Sequence, residues 1–114
     1  MIQSAEEFVR LRMNDDPELQ RRAAHQEAPE QVWREVVDRY PEMRVWVVHN
    51  KTVPLPILEL LSTDEDRAVR GAVAGKRKLS RELFERLAAD PHEGVRLDVG
   101  RNPKVPRDIL ERLT

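Results

Sequence analysis

The chain repeats itself, and that limits what it can fold into more than any other feature it has. Displaced by 26 residues, the sequence brings Met43-Arg44, Val69-Arg70 and Val95-Arg96 into register, then Val47, Val73 and Val99, then Val53, Leu79 and Val105. A second block keeps step: Ile57, Leu83 and Ile109; Leu58, Phe84 and Leu110; Leu61, Leu87 and Leu113. Upstream the offset is 24, which sets Pro17-Glu18-Leu19 on Pro41-Glu42-Met43 and His25 on His49; it then becomes 25, setting Val32-Trp33 on Ile57-Leu58. Similarity at such a period marks tandem supersecondary units, none of which can bury its apolar stripe without a neighbour.

Each unit reads as two short helices. In the second block the apolar residues fall at i, i+3 and i+4, as Leu83, Phe84 and Leu87 do, which puts them on one helical face. Leu79 with Phe84, Val53 with Leu58 and Val105 with Leu110 have the spacing of hydrophobic staples, which fix how the chain enters each of these helices. Helices this short are marginal alone, so their stripes must be covered by the adjoining pair. Residues 4–13 open on a capping box, Ser4 with Glu7, and run into Asn14-Asp15-Asp16-Pro17, a stop followed by a restart. The first short helix is predicted at 19–25 and its partner at 29–40. Ser4, Phe8, Leu11 and Asn14 match Ser80, Phe84, Leu87 and Asp90, so the N-terminal helix is half a pair. The expected fold is all-α: a single domain over 1–114, with a cap helix at 4–14 and helix-pair repeats at about 15–38, 39–64, 65–90 and 91–114.

A polar ladder accompanies the apolar one. Asp38, Asp64 and Asp90 each precede an arginine by six residues, Arg44, Arg70 and Arg96, and the N-terminal member of the series is Asn14 with Gln20. The Asp sits where a helix N-terminus takes a cap, and the Arg lies one turn in. The spacing predicts capping carboxylates bridged by guanidinium forks from the same or adjacent units.

These residues resemble a known family. Val69-Arg70-x-x-Val73-Ala74, Leu87-Ala88-Ala89-Asp90-Pro91 and the run from Val95-Arg96 through Gly100-Arg101-Asn102-Pro103 to Leu113 look like the leucine-rich repeat variant, and the Asp and Val-Arg signature is similar to HEAT-type helical repeats. The resemblance covers residues 38 to 114 most clearly and implies a right-handed α-solenoid, with the short helices building its concave face. The characterised variant proteins carry a cysteine-bound iron–sulfur module, and this chain has no cysteine. The Asn-Pro of the family's turn stands only at Asn102-Pro103 and is replaced by Asn50-Lys51 and Lys76-Arg77 in the other units.

Composition narrows the function. Without cysteine there is no disulfide framework and no thiolate metal site. With 20 basic and 21 acidic residues and no long apolar run, neither a membrane span nor a secretory segment is expected, and the cytoplasm is the expected compartment. The excess of arginine over lysine, 16 to 4, points to a GC-rich bacterial genome. Ser62 and Ser80 sit at helix ends, where capping accounts for them, and no nucleophile stands beside a base. A non-enzymatic chain without cofactor or metal is therefore expected.

Two surfaces are candidates for binding. The turns inside the last units carry Lys51, then Lys76, Arg77, Lys78 and Arg81, then Arg101, Lys104 and Arg107, while the turns between units are acidic. That arrangement makes either a solvated edge or a basic edge for an acidic partner or a phosphate backbone. The second surface centres on Trp46, whose column, Arg22, Trp46, Ala72 and Asp98, tolerates charge and so reaches solvent. With His25, His49 and Asn50 beside it, Trp46 is either a binding hot spot or a packing lid. Trp33 falls in the column of Leu58 and Phe84 and is expected in the core. The function that follows is a protein-interaction module using the concave face, with partner contacts at Arg22, His25, Trp46, His49, Asn50, Lys76, Arg77, Lys78 and Arg101. The alternative is nucleic-acid binding in the manner of a HEAT-like DNA glycosylase cradle. Against it stand 6 basic and 10 acidic residues in 1–42, with 14 and 11 in 43–114, which leave room for a short contact only.

Overall fold

Backbone donors at helix starts need acceptors, and the sequence supplies them at regular intervals. A computed structural model describes all 114 residues, Met1–Thr114. It holds nine α-helices and no strand: α1 Ala5–Met13, α2 Pro17–His25, α3 Glu30–Arg39, α4 Arg44–His49, α5 Leu55–Leu61, α6 Arg67–Ala74, α7 Arg81–Ala88, α8 Glu93–Arg101 and α9 Arg107–Arg112. A 3₁₀ turn at Pro41–Met43 leads into α4. No helix is long and apolar enough to cross a membrane.

The caps correct one expectation. Asp64 and Asp90 do not cap helices; they stand two residues ahead of the caps, and so does Asn14. Each accepts the backbone N–H two residues on, from Asp66 at 3.0 Å, His92 at 2.9 Å and Asp16 at 2.8 Å. Those three residues are the N-caps, accepting in turn from Ala68, Gly94 and Glu18. Two Asx-type turns in series thus wind the chain into α2, α6 and α8. Before α4 the same stretch reads Asp38-Arg39-Tyr40-Pro41-Glu42, in which Tyr40 at the cap position makes no side-chain cap bond, and the first turn takes the 3₁₀ form instead. At α1, Ser4 accepts from Glu7 N–H, and the Glu7 carboxylate takes the N–H of Gln3, one residue further back than a standard capping box.

Two compact units divide the chain, Met1–Ile57 and Leu58–Thr114, and the boundary falls inside α5. In the first unit α1 packs on α2 and α3, and α3 packs on the 3₁₀ turn and α4. Its core includes Phe8, Leu11, Val32, Trp33, Val36, Val47 and Val48. Phe8 meets Trp33 edge to face at 5.1 Å, so Trp33 is spent on packing, as its column requires. In the second unit α6 packs on α7 and α8, and α7 packs on α8 and α9. Leu58, Leu61, Val69, Val73, Leu83, Phe84, Leu87, Val95, Val99 and Ile109 are buried there. Each contributes about 1.5–3 kcal/mol by leaving water. Leu110, in the column of Leu58 and Phe84, departs from its expected burial and stays 37% exposed.

Candidate functional site

The first unit carries its aromatic on the surface. Trp46, on α4, keeps 37% of its area in solvent. The Arg12 guanidinium, at the end of α1, lies 3.4 Å from the centre of its ring, and the His49 ring stands one helical turn on at 5.9 Å, tilted by 59°. A cation held against an indole face fixes the ring without burying it. Nothing in the sequence singled out Arg12, which is 34 residues away and belongs to no column shared with Trp46. His25 is exposed at the end of α2, and Arg22 lines a separate hollow of about 230 Å³ with Glu7, Arg10 and Asn14.

Asn50 leaves the set of surface residues. It is fully buried, and its amide donates to the carbonyls of Ala23 at 2.8 Å and Gln26 at 3.0 Å while its oxygen accepts from Thr52 N–H at 2.8 Å. Asn102 does the same work in the second unit, donating to Ala74 and Lys76 carbonyls, both at 2.7 Å, and accepting from Lys104 N–H at 2.8 Å. Both residues satisfy carbonyls at the C-terminal ends of short helices, where no intrahelical donor remains. The signal was in the sequence: the two asparagines share a column, 52 residues apart.

That bracket also builds the basic edge of the second unit. Because Asn102 holds the Lys76 carbonyl while fixing Lys104, it brings the turn after α6 against the turn after α8. Arg77, Lys78 and Lys104 are exposed along it, and Lys76 is half-buried. Arg81 and Arg107 belong elsewhere. Arg81 joins Asp108 and Glu85, and Arg112 reaches Glu85 at 2.6 Å, in an alternating network on α7 and α9. The guanidiniums of Arg112 and Arg81 lower the Glu85 carboxyl and that of Arg81 lowers the Asp108 carboxyl, each acting against partial desolvation. Arg107 pairs with Glu111 at 3.5 Å.

The polar ladder is structural throughout. Arg70 forks onto Asp90, Nε to Oδ2 at 2.7 Å and Nη2 to Oδ1 at 3.2 Å, and its Nη1 donates to the carbonyls of Asp64 and Glu65. Arg96 donates to the Asp90 carbonyl at 2.6 Å, Arg44 to the Val37 carbonyl at 2.9 Å, and Gln20 to the Asn14 carbonyl at 2.6 Å. The Arg44 bond goes to the carbonyl one residue ahead of the Asp38 carbonyl, where a 3₁₀ turn stands in place of an Asx turn. Burial raises the Asp90 carboxyl, but the Arg70 fork and the His92 N–H outweigh it and hold the group below the usual carboxylate range.

No group of three or more His, Cys, Asp or Glu side chains is placed to hold a metal ion. No family model, no curated protein and no solved structure matches the chain.

Proposed function

We propose that this chain is a non-enzymatic binding protein: a right-handed α-solenoid of four helix pairs behind a cap helix, which takes a protein partner on the face carrying its short helices. The array reading is supported by the 26-residue repeat and by equivalent helices of the second unit lying against each other, α6 on α8 and α7 on α9. The observation that carries the binding reading is Trp46. It is a large aromatic left more than a third exposed, with an arginine stacked on it, and Trp and Arg are the residue types that dominate interface energetics. A bacterial cytoplasmic setting fits the composition.

The test compares partner recovery from the native host by wild type, Trp46→Ala and Arg12→Ala, each first shown to keep its helical circular dichroism. A partner that both variants lose locates the site. Identical recoveries by all three retire Trp46 as its centre.

A second reading, nucleic-acid binding along the basic edge, draws on the Asn102 bracket, which aligns Arg77, Lys78 and Lys104. Anisotropy with a random duplex at low salt separates the two. Binding that weakens steeply with salt and is lost in an Arg77→Ala/Lys78→Ala/Lys104→Ala variant favours the edge; no binding at low salt removes it.

A further inference from the structure

Between α8 and α9 the second unit bears an open apolar groove whose charges are arranged for self-recognition. In the column of Leu58, Phe84 and Leu110 the exposures are 2%, 3% and 37%, so the position that is covered twice is bare the third time. Leu61 and Leu87 are buried, whereas Leu113 is only half-buried. Around Leu110 and Leu113 lies an open groove of about 490 Å³, whose wall is α8 with Glu93, Leu97, Gly100 and Arg101. Leu97 is 50% exposed. A Cβ added at Gly100 would meet the tips of Leu113 and Leu110 at 3.9 and 4.0 Å, so the glycine lies beside the α9 leucines and leaves room above them.

Glu93, Leu97 and Arg101 fall at i, i+4 and i+8, one stripe along the exposed side of α8. The acid and the base are too far apart to meet each other, about 12 Å at 1.5 Å per residue. Neither joins an ion pair within the chain. The stripe is therefore antisymmetric about its central leucine. Turned by 180° and laid against a copy of itself, α8 sets Leu97 on Leu97, Glu93 on the partner copy's arginine and Arg101 on the partner copy's glutamate. An isologous two-fold contact requires a surface that matches itself in this way.

We infer that the groove between α8 and α9 is a homodimer interface in which two copies of the chain pair through antiparallel α8 helices. Arg96 and Arg112 also line the groove, but both are engaged within the chain, Arg96 on the Asp90 carbonyl and Arg112 on Glu85. That leaves Glu93 and Arg101 as the acid and base placed evenly about one leucine, a charged rim to an apolar core. An affinity in the micromolar range, about 10–300 µM, is expected of a contact with one leucine pair at its centre and exposed ion pairs at its rim.

Sedimentation velocity over that concentration range tests it on the full chain. The expected result is a monomer–dimer equilibrium that Leu97→Asp abolishes. Glu93→Arg and Arg101→Glu each replace two attractions per dimer with two repulsions and weaken dimerisation about tenfold or more. The double swap Glu93→Arg/Arg101→Glu restores it to within about threefold of wild type, because the stripe is again antisymmetric. Circular dichroism of each variant verifies folding, and the swaps, being on the surface, keep the test available should Leu97→Asp unfold. A monomer at every concentration overturns the inference. So does a dimer indifferent to these substitutions, or growth beyond the dimer, which marks a head-to-tail contact. A monomer that instead takes a foreign amphipathic helix in the groove overturns it as well.

Discussion

Arg70→Ala removes one side chain and undoes four hydrogen bonds, and its cost can be worked from what is left behind. Asp90 is 6% exposed and its carboxylate would keep the His92 N–H, while the carbonyls of Asp64 and Glu65 lose the bonds from Arg70 Nη1. Removing one partner of a buried ion pair costs about 3–5 kcal/mol when the other charge stays dry. Here a hollow lined by Ser62, Thr63, Arg86 and Asp90 opens beside the pair and admits water to the stranded carboxylate. The expected loss is therefore lower, about 2–3 kcal/mol. In urea this lowers the midpoint by roughly 1–2 M with an unchanged slope. The pH dependence gives an independent reading of the same bond. Asp90 has its folded carboxyl lowered, so the stabilisation is complete above the unfolded value near about 3.9 and disappears as pH falls through the folded one. The gap between wild type and Arg70→Ala should therefore narrow below about pH 4. A double-mutant cycle with Asp90→Asn, which keeps the acceptor for His92 N–H, isolates a coupling of about 1.5–3 kcal/mol. A penalty under about 0.5 kcal/mol at pH 7, or one that does not change down to pH 3, would falsify the assignment of Arg70 as the bond that ties these two turns.

The remaining predictions concern caps, brackets and close approach. His92→Asp puts the cap found at Asp16 and Asp66 into the third position, beside Arg67, and should stabilise by about 0.5–1 kcal/mol at pH 7 in thermal melts; no gain would mean the imidazole caps α8 as well as a carboxylate does. Asn102→Asp should destabilise more than Asn102→Ala, although it is the closer isostere, because a carboxylate cannot donate to the Ala74 and Lys76 carbonyls and would face both; the alanine variant alone should cost about 2–3 kcal/mol by urea titration. Gly71→Ala meets the Asp98 carboxylate at 2.6 Å and should be near neutral in wild type, but should stabilise by about 1 kcal/mol in an Asp98→Ala background, where the helix-propensity gain is unopposed. Equal effects in both backgrounds would show that Asp98 yields freely.

The parts of the fold that were legible are those in which one residue type answers one local demand. The apolar columns were read correctly for Val69, Val73, Leu83, Phe84 and Leu87 because burial of a helical stripe leaves a periodic trace. Trp33 and Trp46, identical in chemistry, were told apart by their columns alone: one is in the core and the other is partly in solvent. What escaped were contacts decided by packing at long sequence separation. The stacking of Arg12 on Trp46 joins α1 to α4 and leaves no periodic mark. The caps were misplaced by two residues for a different reason. Asp-x-Asp and Asp-x-His offer two acceptors in succession, and both are used, the first for the turn and the second for the helix.

Asn50 shows how a column can mislead when it is read from one member. Taken beside Trp46 and His49 it looks like part of a polar surface; taken with Asn102 it answers the carbonyls that end a short helix. The middle unit has Lys76 at that position, and an ammonium has no lone pair with which to accept from the turn N–H two residues on. The turn after α6 is held by Asn102 binding the Lys76 carbonyl, as the turn after α2 is held by Asn50 binding the Gln26 carbonyl. One asparagine thus fixes two turns of the second unit, its own and the one before it. The three cations Arg77, Lys78 and Lys104 owe their common edge to that single buried amide, so Asn102→Ala should loosen the edge even where the helices persist. In hydrogen exchange the N–H groups of Lys76 and Lys104 should lose protection first, and equal protection in the variant would mean that the helices alone position the turns.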